Sequence, residues 1–217
     1  VEAVITTLVI RINNPRAGIP VPSVSKSILD DPDAGDSSKQ HTKTAELVPK
    51  SAKGEELMNK TVLVITSSLR ANSNSDALAA ALADGAKSSG NTVEVISLKD
   101  KSIGFCRGCM ACQKTQKCVI RDDAVEIAEK IKNSDVVVFA TPVYYYELAG
   151  QLKTLLDRCN PLFPSDYAFR DVYLLAAAAD EDESAVEGPV KGMEGWVSCF
   201  EKAHLAGTVF AGGVDAP

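Results

Sequence analysis

Five short apolar runs, separated by stretches of helical spacing, constrain this chain more than any other feature. Thr61–Thr66 reads TVLVIT, Asp135–Thr141 reads DVVVFAT and Asp171–Ala177 reads DVYLLAA, each nearly continuous in apolar residues. Thr92–Leu98 (TVEVISL) alternates, as a strand with one covered face does, and Leu205–Ala211 supplies a fifth run. Between them, Ser75–Ser88, Ala124–Lys132, Leu148–Arg158 and Met193–His204 carry apolar residues at helical spacing, and Asp122-Asp123 offers an N-cap to the second of these. Strands that are apolar on both sides and alternate with helices predict a parallel sheet covered on both faces. Right-handed crossovers then restrict the chain to a doubly wound, five-stranded α/β fold. Pro217 follows soon after the fifth run, where such a domain would place a last helix. Two expectations follow: the chain is cut short there, or its N-terminal segment covers that face.

The first 57 residues read differently. Val1–Ile12 is apolar and rich in β-branched residues, and is expected to be a strand. Pro15, Pro20 and Pro22 follow, then Ser23–Glu56, a polar stretch with little hydrophobic periodicity, expected as a linker or arm. The expected division is therefore an N-terminal extension, 1–57, and a domain, 58–217. Met58 stands where an ancestral start would fall, with the preceding residues added by fusion.

Composition narrows the function classes. With 23 basic and 29 acidic residues the net charge is -6, which argues against a broad nucleic-acid surface while leaving room for a local basic pocket. The longest apolar runs, Val136–Val143 and Val172–Ala179, fall well short of the ~20 residues that span a bilayer. No secretory pattern opens the chain, so a cytoplasmic protein without membrane attachment is expected.

In an open parallel sheet, ligands bind at the carboxyl ends of the strands, at the topological switch point. The loop after the first strand reads Ser67-Ser68-Leu69-Arg70-Ala71-Asn72-Ser73-Asn74-Ser75, directly before a helix. Hydroxyls, amides, a guanidinium and a helix N-terminus suit a dianionic phosphate, with Ser68, Arg70, Asn74 and Ser75 as the candidate donors. An ordinary polar loop capped by Asn74 or Ser75 is the plainer alternative. Neither G-x-G-x-x-G nor a Walker motif is present, so a nicotinamide Rossmann domain and a P-loop NTPase fit poorly. The third strand ends in Thr141-Pro142-Val143-Tyr144-Tyr145-Tyr146, whose aromatic faces and hydroxyls suit a planar heteroaromatic ring. Together the two loops describe a mononucleotide with a flat ring.

Cys106, Cys109, Cys112 and Cys118 form C-x2-C-x2-C-x5-C, and spacing this short lets four thiolates converge on one [4Fe–4S] cluster. Tetrahedral zinc, which usually takes two separated C-x2-C pairs, is a rival reading. Cys159 and Cys199 fall on predicted helices and are expected as buried thiols. Lys153 and Asp157 stand i,i+4 and read as a surface ion pair, and His41 and His204 read as incidental. No catalytic side chain is therefore expected.

Ser68, Arg70, Asn74 and Ser75, the Thr141–Tyr146 segment, Lys153 and Asp157-Arg158 resemble the NAD(P)H-dependent FMN reductase family of flavodoxin-like proteins, over roughly Asn59 to the end. Ser67 stands where glycine is common in that family. The resemblance implies a flavodoxin-like fold of strand order 2-1-3-4-5 and FMN as cofactor. It places Pro142, Val143, Tyr144 and the adjacent Tyr145 at the isoalloxazine ring, flanked by Ala178 to Asp180. It also implies NAD(P)H or a donor protein as electron source, and a homodimer or homotetramer. A quinone, flavin, nitro- or azo-compound, or an electron-carrier protein, would be the acceptor. The cysteine spacing resembles the iron–sulfur flavoproteins of the same family, while Thr115, Cys118, Asp122 and Asp123 also match flavin reductases that work without a cluster. A non-enzymatic flavin or iron–sulfur electron carrier, or a redox sensor, stands as the alternative function.

Overall fold

The computed structural model describes residues 2–13 and 59–215. The expected linker over Ser23–Glu56, and Met58, lie outside the described residues. Strands β1 (Thr61–Thr66), β2 (Thr92–Ser97), β3 (Val136–Tyr144), β5 (Asp171–Ala177) and β6 (His204–Ala211) pair in parallel in the order β2-β1-β3-β5-β6. Counting the parallel strands alone, this is 2-1-3-4-5. The numbering shifts because β4 (Glu147–Leu148) is a two-residue antiparallel strand paired only with β3.

Alternation of side chains across the pleat explains why the strands are apolar throughout. Val62, Val64, Val136, Val138, Tyr173 and Leu175 pack on one side of the sheet, with residues of α2 (Asn74–Ser88). Leu63, Ile65, Val137, Phe139, Val172 and Leu174 pack on the other. That second face is covered by α4 (Asp123–Asn133), α5 (Gly150–Arg158) and α6 (Glu187–Val197). The short α3 (Ala111–Thr115) lies in the cysteine segment.

The N-terminal run is not a strand. Glu2–Asn13 forms α1, and its Ile5, Leu8, Val9 and Ile12 are buried in the cluster of α2 and the first sheet face. Those positions follow the i, i+3, i+4, i+7 spacing of a helix, and burial of that stripe overrides the β-branched propensity. Arg11 donates from Nη1 to the carbonyl of Ala206 at 2.6 Å, and the Asn91 amide donates to Asn13 Oδ1 at 2.8 Å. At Gly85 a Cβ would stand 2.8 Å from Val9 Cγ2, so this glycine lets α1 and α2 approach. The N-terminal segment thus lies on this face of the sheet, beside α2.

The helix expected at Met193–His204 is also displaced. It runs Glu187–Val197, and residues after it turn so that Phe200 packs against Tyr167, Phe169 and Trp196. Gly188, Pro189, Gly192 and Gly195 depress its helix propensity and hide its start. Gly188 is required by packing, since a Cβ there would lie 2.1 Å from the Tyr146 carbonyl oxygen. Cys159 is buried as expected, but Cys199 is exposed, because it falls beyond the last turn of α6.

Candidate functional site

The loop after β1 is tied at its start and folded back at its middle. Ser67 donates from both its backbone N (3.0 Å) and its Oγ (3.1 Å) to the Ala140 carbonyl, which sets the loop beside β3. Asn72 takes a left-handed conformation (φ 52°), and Ser73 follows as the N-cap of α2, its Oγ accepting from Asp76 N at 3.1 Å. The cap is therefore Ser73, one residue ahead of the two the sequence offered. Ser73 and Ser75 hydroxyls share a hydrogen bond of 3.1 Å, and Ser68 Oγ accepts from Arg70 N at 3.2 Å.

This loop forms one wall of a cleft of about 230 Å³. Ser68, Arg70, Asn74, Ser75, Pro142, Val143, Tyr144 and Ala178 all line it, so eight of the ten residues singled out from the sequence for the nucleotide come together. The other two do not line it. Tyr145 is fully exposed, and Asp180 instead accepts from the Tyr146 hydroxyl (3.1 Å) and from Asp182 N (3.0 Å). The hydrogen bond to Asp180 and that carboxylate's charge push the Tyr146 pKa above its usual value. Tyr145 (φ 50°) and Tyr146 (φ 61°) are the two central residues of the β3–β4 hairpin, a tight turn with both residues left-handed. Such a conformation in two aromatic residues is strained, and strain of this kind collects at functional sites.

Ala179, within the Ala178 to Asp180 stretch expected at the ring, lines the cleft too, as do Ser73 of the loop and three residues that sequence reasoning does not single out, Ala177, Val214 and Asp215. The last two matter most. Arg70 donates from Nη1 to the Asp215 carbonyl at 3.1 Å, and Asn74 Nδ2 to the Val214 carbonyl at 3.5 Å. The stretch after β6 therefore lies against the loop after β1. No local pattern in Val214-Asp215 signals this, although the switch-point rule places the end of every neighbouring strand at the same mouth.

The four cysteines converge on a second, smaller cavity. Cys106, Cys109, Cys112 and Cys118 line it with Arg158, and the chain reaches them through left-handed residues at Gly108 (φ 63°), Met110 (φ 57°) and Gln116 (φ 54°). Burial pushes the Cys112 thiol up, and the neighbouring Cys118, Cys109 and Cys106 add to the rise. Among the described residues no three His, Cys, Asp or Glu side chains are grouped closely enough to hold a metal ion. A lone tetrahedral ion needs its sulfurs about 2.3 Å from one centre. A cubane spreads them, one thiolate to each iron, and the four thiols lining this cavity supply that donor chemistry.

Asp122 caps α4, accepting from Ala124 N at 3.2 Å, and also pairs both its oxygens with Arg158. Burial works to raise the Asp122 pKa, but hydrogen bonds from Arg158 and from the Gly104 backbone N–H outweigh it and hold it below the usual carboxylate range. Arg158 is held up in turn, first by Asp122 and, against its own burial, by the nearby Cys118. Lys153 and Asp157 form an exposed pair at 2.6 Å, and His204 stands beside Asp171 at 3.3 Å.

A sequence model of the NADPH-dependent FMN reductase family matches residues 60–210, most of the chain and both candidate sites apart from Val214 and Asp215. The chain belongs to this family. An iron–sulfur flavoprotein of Methanocaldococcus jannaschii is 38% identical over 101 residues, 46% of this chain and 52% of the relative. An iron–sulfur flavoprotein of Methanosarcina thermophila is 27% identical over 149 residues, 68% of this chain and 75% of the relative. The chain thus spans about half the length of the first of these relatives. Among solved structures, an NAD(P)H:quinone oxidoreductase from Methanothermobacter marburgensis superposes with a TM-score of 0.58 at 17% identity, covering 72% of this chain and 85% of the other. An FMN-dependent NADH-azoreductase of Bacillus anthracis, in complex with FMN, gives 0.53 at 15%, covering 72% and 90%. At these identities the likeness shows a common fold. No helix among the described residues is long and apolar enough to cross a membrane.

Proposed function

We propose that this chain is an FMN-dependent oxidoreductase. It would draw electrons from NAD(P)H or a donor protein and deliver them to a quinone, flavin, nitro- or azo-compound, or an electron-carrier protein. The observation that carries the reading is the single cleft in which the Ser68–Ser75 loop faces Pro142–Tyr144 across the switch point. Ser68, Ser73, Asn74 and Ser75, with Arg70 and the N-terminus of α2, suit the phosphate. Pro142, Val143 and Tyr144 on one side and Ala177–Ala179 on the other suit the edges of the ring, small enough to let it in. Bound FMN supplies the redox chemistry. The protein binds, orients and excludes water.

Cys106, Cys109, Cys112 and Cys118 would hold a [4Fe–4S] cluster. Their shared cavity and the iron–sulfur flavoprotein relatives support this reading. Anaerobic purification followed by a visible spectrum and iron and sulfide analysis tests both cofactors. NAD(P)H oxidation with 1,4-benzoquinone as acceptor tests the activity. Flavin bands and acceptor-dependent turnover are expected. A protein that shows neither flavin bands nor turnover after incubation with FMN contradicts the proposal.

A further inference from the structure

Arg158 sits on α5 among Leu152, Leu155 and Leu156, with its side chain fully buried. A guanidinium carries five N–H donors, and four of these are matched. Nη1 donates to the Gly104 carbonyl and to Asp122 Oδ2, both at 2.7 Å, and Nη2 to the Ile120 carbonyl (3.1 Å) and Asp122 Oδ1 (2.8 Å). Gly104 and Ile120 stand on either side of the four cysteines, so one side chain grips both ends of the loop that carries them. Gly104 N closes the arrangement by donating to Asp122 Oδ2 at 2.8 Å. The fifth donor, on Nε, is buried and has no partner. A buried N–H without an acceptor is costly, so it calls for a reason. Arg158 lines the same cavity as the thiols, where an acceptor would sit.

We propose that Arg158 is the positioning residue of the four-cysteine site: it fastens the loop at both ends and keeps its Nε–H for a sulfur held there. The second half rests on the cluster reading given above. Outer partners of this kind orient metal ligands and tune the group they hold. A buried cation and donor beside a sulfur favour the more negative redox state, so Arg158 raises the potential of the group.

Two readouts separate the halves. Trypsin nicking at Arg107, Lys114, Lys117 or Arg121 reports opening of the loop and needs no cluster. The midpoint potential of the anaerobically reconstituted cluster reports the donor. Arg158→Met and Arg158→Lys should both be nicked at least about tenfold faster than the wild type while retaining FMN, because neither keeps the four-bond fork. The potential should fall in Arg158→Met by about 59 mV, a tenfold change for one electron, and Arg158→Lys should recover part of it. Wild-type protection of the loop in both variants overturns the fastening. An unchanged potential in Arg158→Met overturns the donor role. If Arg158→Met does not fold, Asp122→Asn, which keeps the arginine, must still show faster nicking. A wild-type protein that binds FMN yet takes up no iron or sulfide contradicts the cluster and the donor role together, and the nicking comparison still decides the fastening.

Discussion

Leu8 offers the sharpest test of how the sheet is covered. Its side chain is fully buried, in one cluster with Val62 and Val64 of β1 and Leu82 of α2. Truncating a buried Leu to Ala costs about 2–5 kcal/mol, transfer and cavity together. A loss of about 3 kcal/mol lowers the folding constant by roughly two decades and Tm by roughly 6–12 °C for a chain of this size. The assay is reversible urea denaturation of wild type, Leu8→Ala and Lys191→Ala, with Lys191→Ala, on the exposed side of α6, as the control. The control should stay within about 0.5 kcal/mol of wild type. Leu8→Ala should shift the midpoint with an unchanged slope, since the amount of surface exposed on unfolding is similar. A Leu8→Ala protein as stable as the control would refute the docking of α1 on this face.

Three further outcomes follow from the site. Replacing Tyr145-Tyr146 with Asn-Gly, the preferred pair for a turn with both residues left-handed, should stabilise the fold by about 1 kcal/mol, seen in the same denaturation assay. It should also remove the Tyr146–Asp180 hydrogen bond, seen as the disappearance of an upshifted group from the tyrosine titration. The folded pKa of Asp122 lies below the ordinary carboxylate value, so the stability it contributes is present above that ordinary value and lost as pH falls through the depressed one. The stability gap between wild type and Asp122→Asn should therefore be constant from neutral pH to about pH 5 and narrow below about pH 4. Burial raises the Cys159 thiol pKa to about 12, so native protein treated with iodoacetamide at pH 8 should be labelled at exposed Cys199 and not at Cys159, as read by peptide mass mapping.

What was legible in the sequence was whatever depended on local periodicity. β1, β3 and β5 announce themselves because both of their faces are covered, and Asp122 announces itself as a cap. The sequence reads α1 as a strand because Val, Ile and Thr favour strands in isolation, while the surface that makes it a helix begins only at Val62. The turn at Tyr145-Tyr146 carries no Gly or Asn signal. Packing of Gly188 under the Tyr146 carbonyl belongs with this turn, and is equally invisible locally. At the site, the loop residues were found by their position after a strand. Val214 and Asp215 were not, because only the closed sheet brings them to Arg70 and Asn74. The Arg158 fork was hidden for a similar reason: a charge at the end of an apolar helix looks exposed until Asp122 is folded onto it.

FMN binding in the cleft between the Ser68–Ser75 loop and Pro142–Tyr144 is what the proposed function stands on. Fluorescence titration of FMN against wild type and the Ser68→Ala/Arg70→Gln double variant measures it directly. Two charge-assisted hydrogen bonds of about 1.5–3 kcal/mol each predict an affinity at least about a hundredfold weaker in the double variant, with riboflavin, which lacks the phosphate, binding both proteins alike. Equal FMN affinity in the two proteins would contradict the assignment.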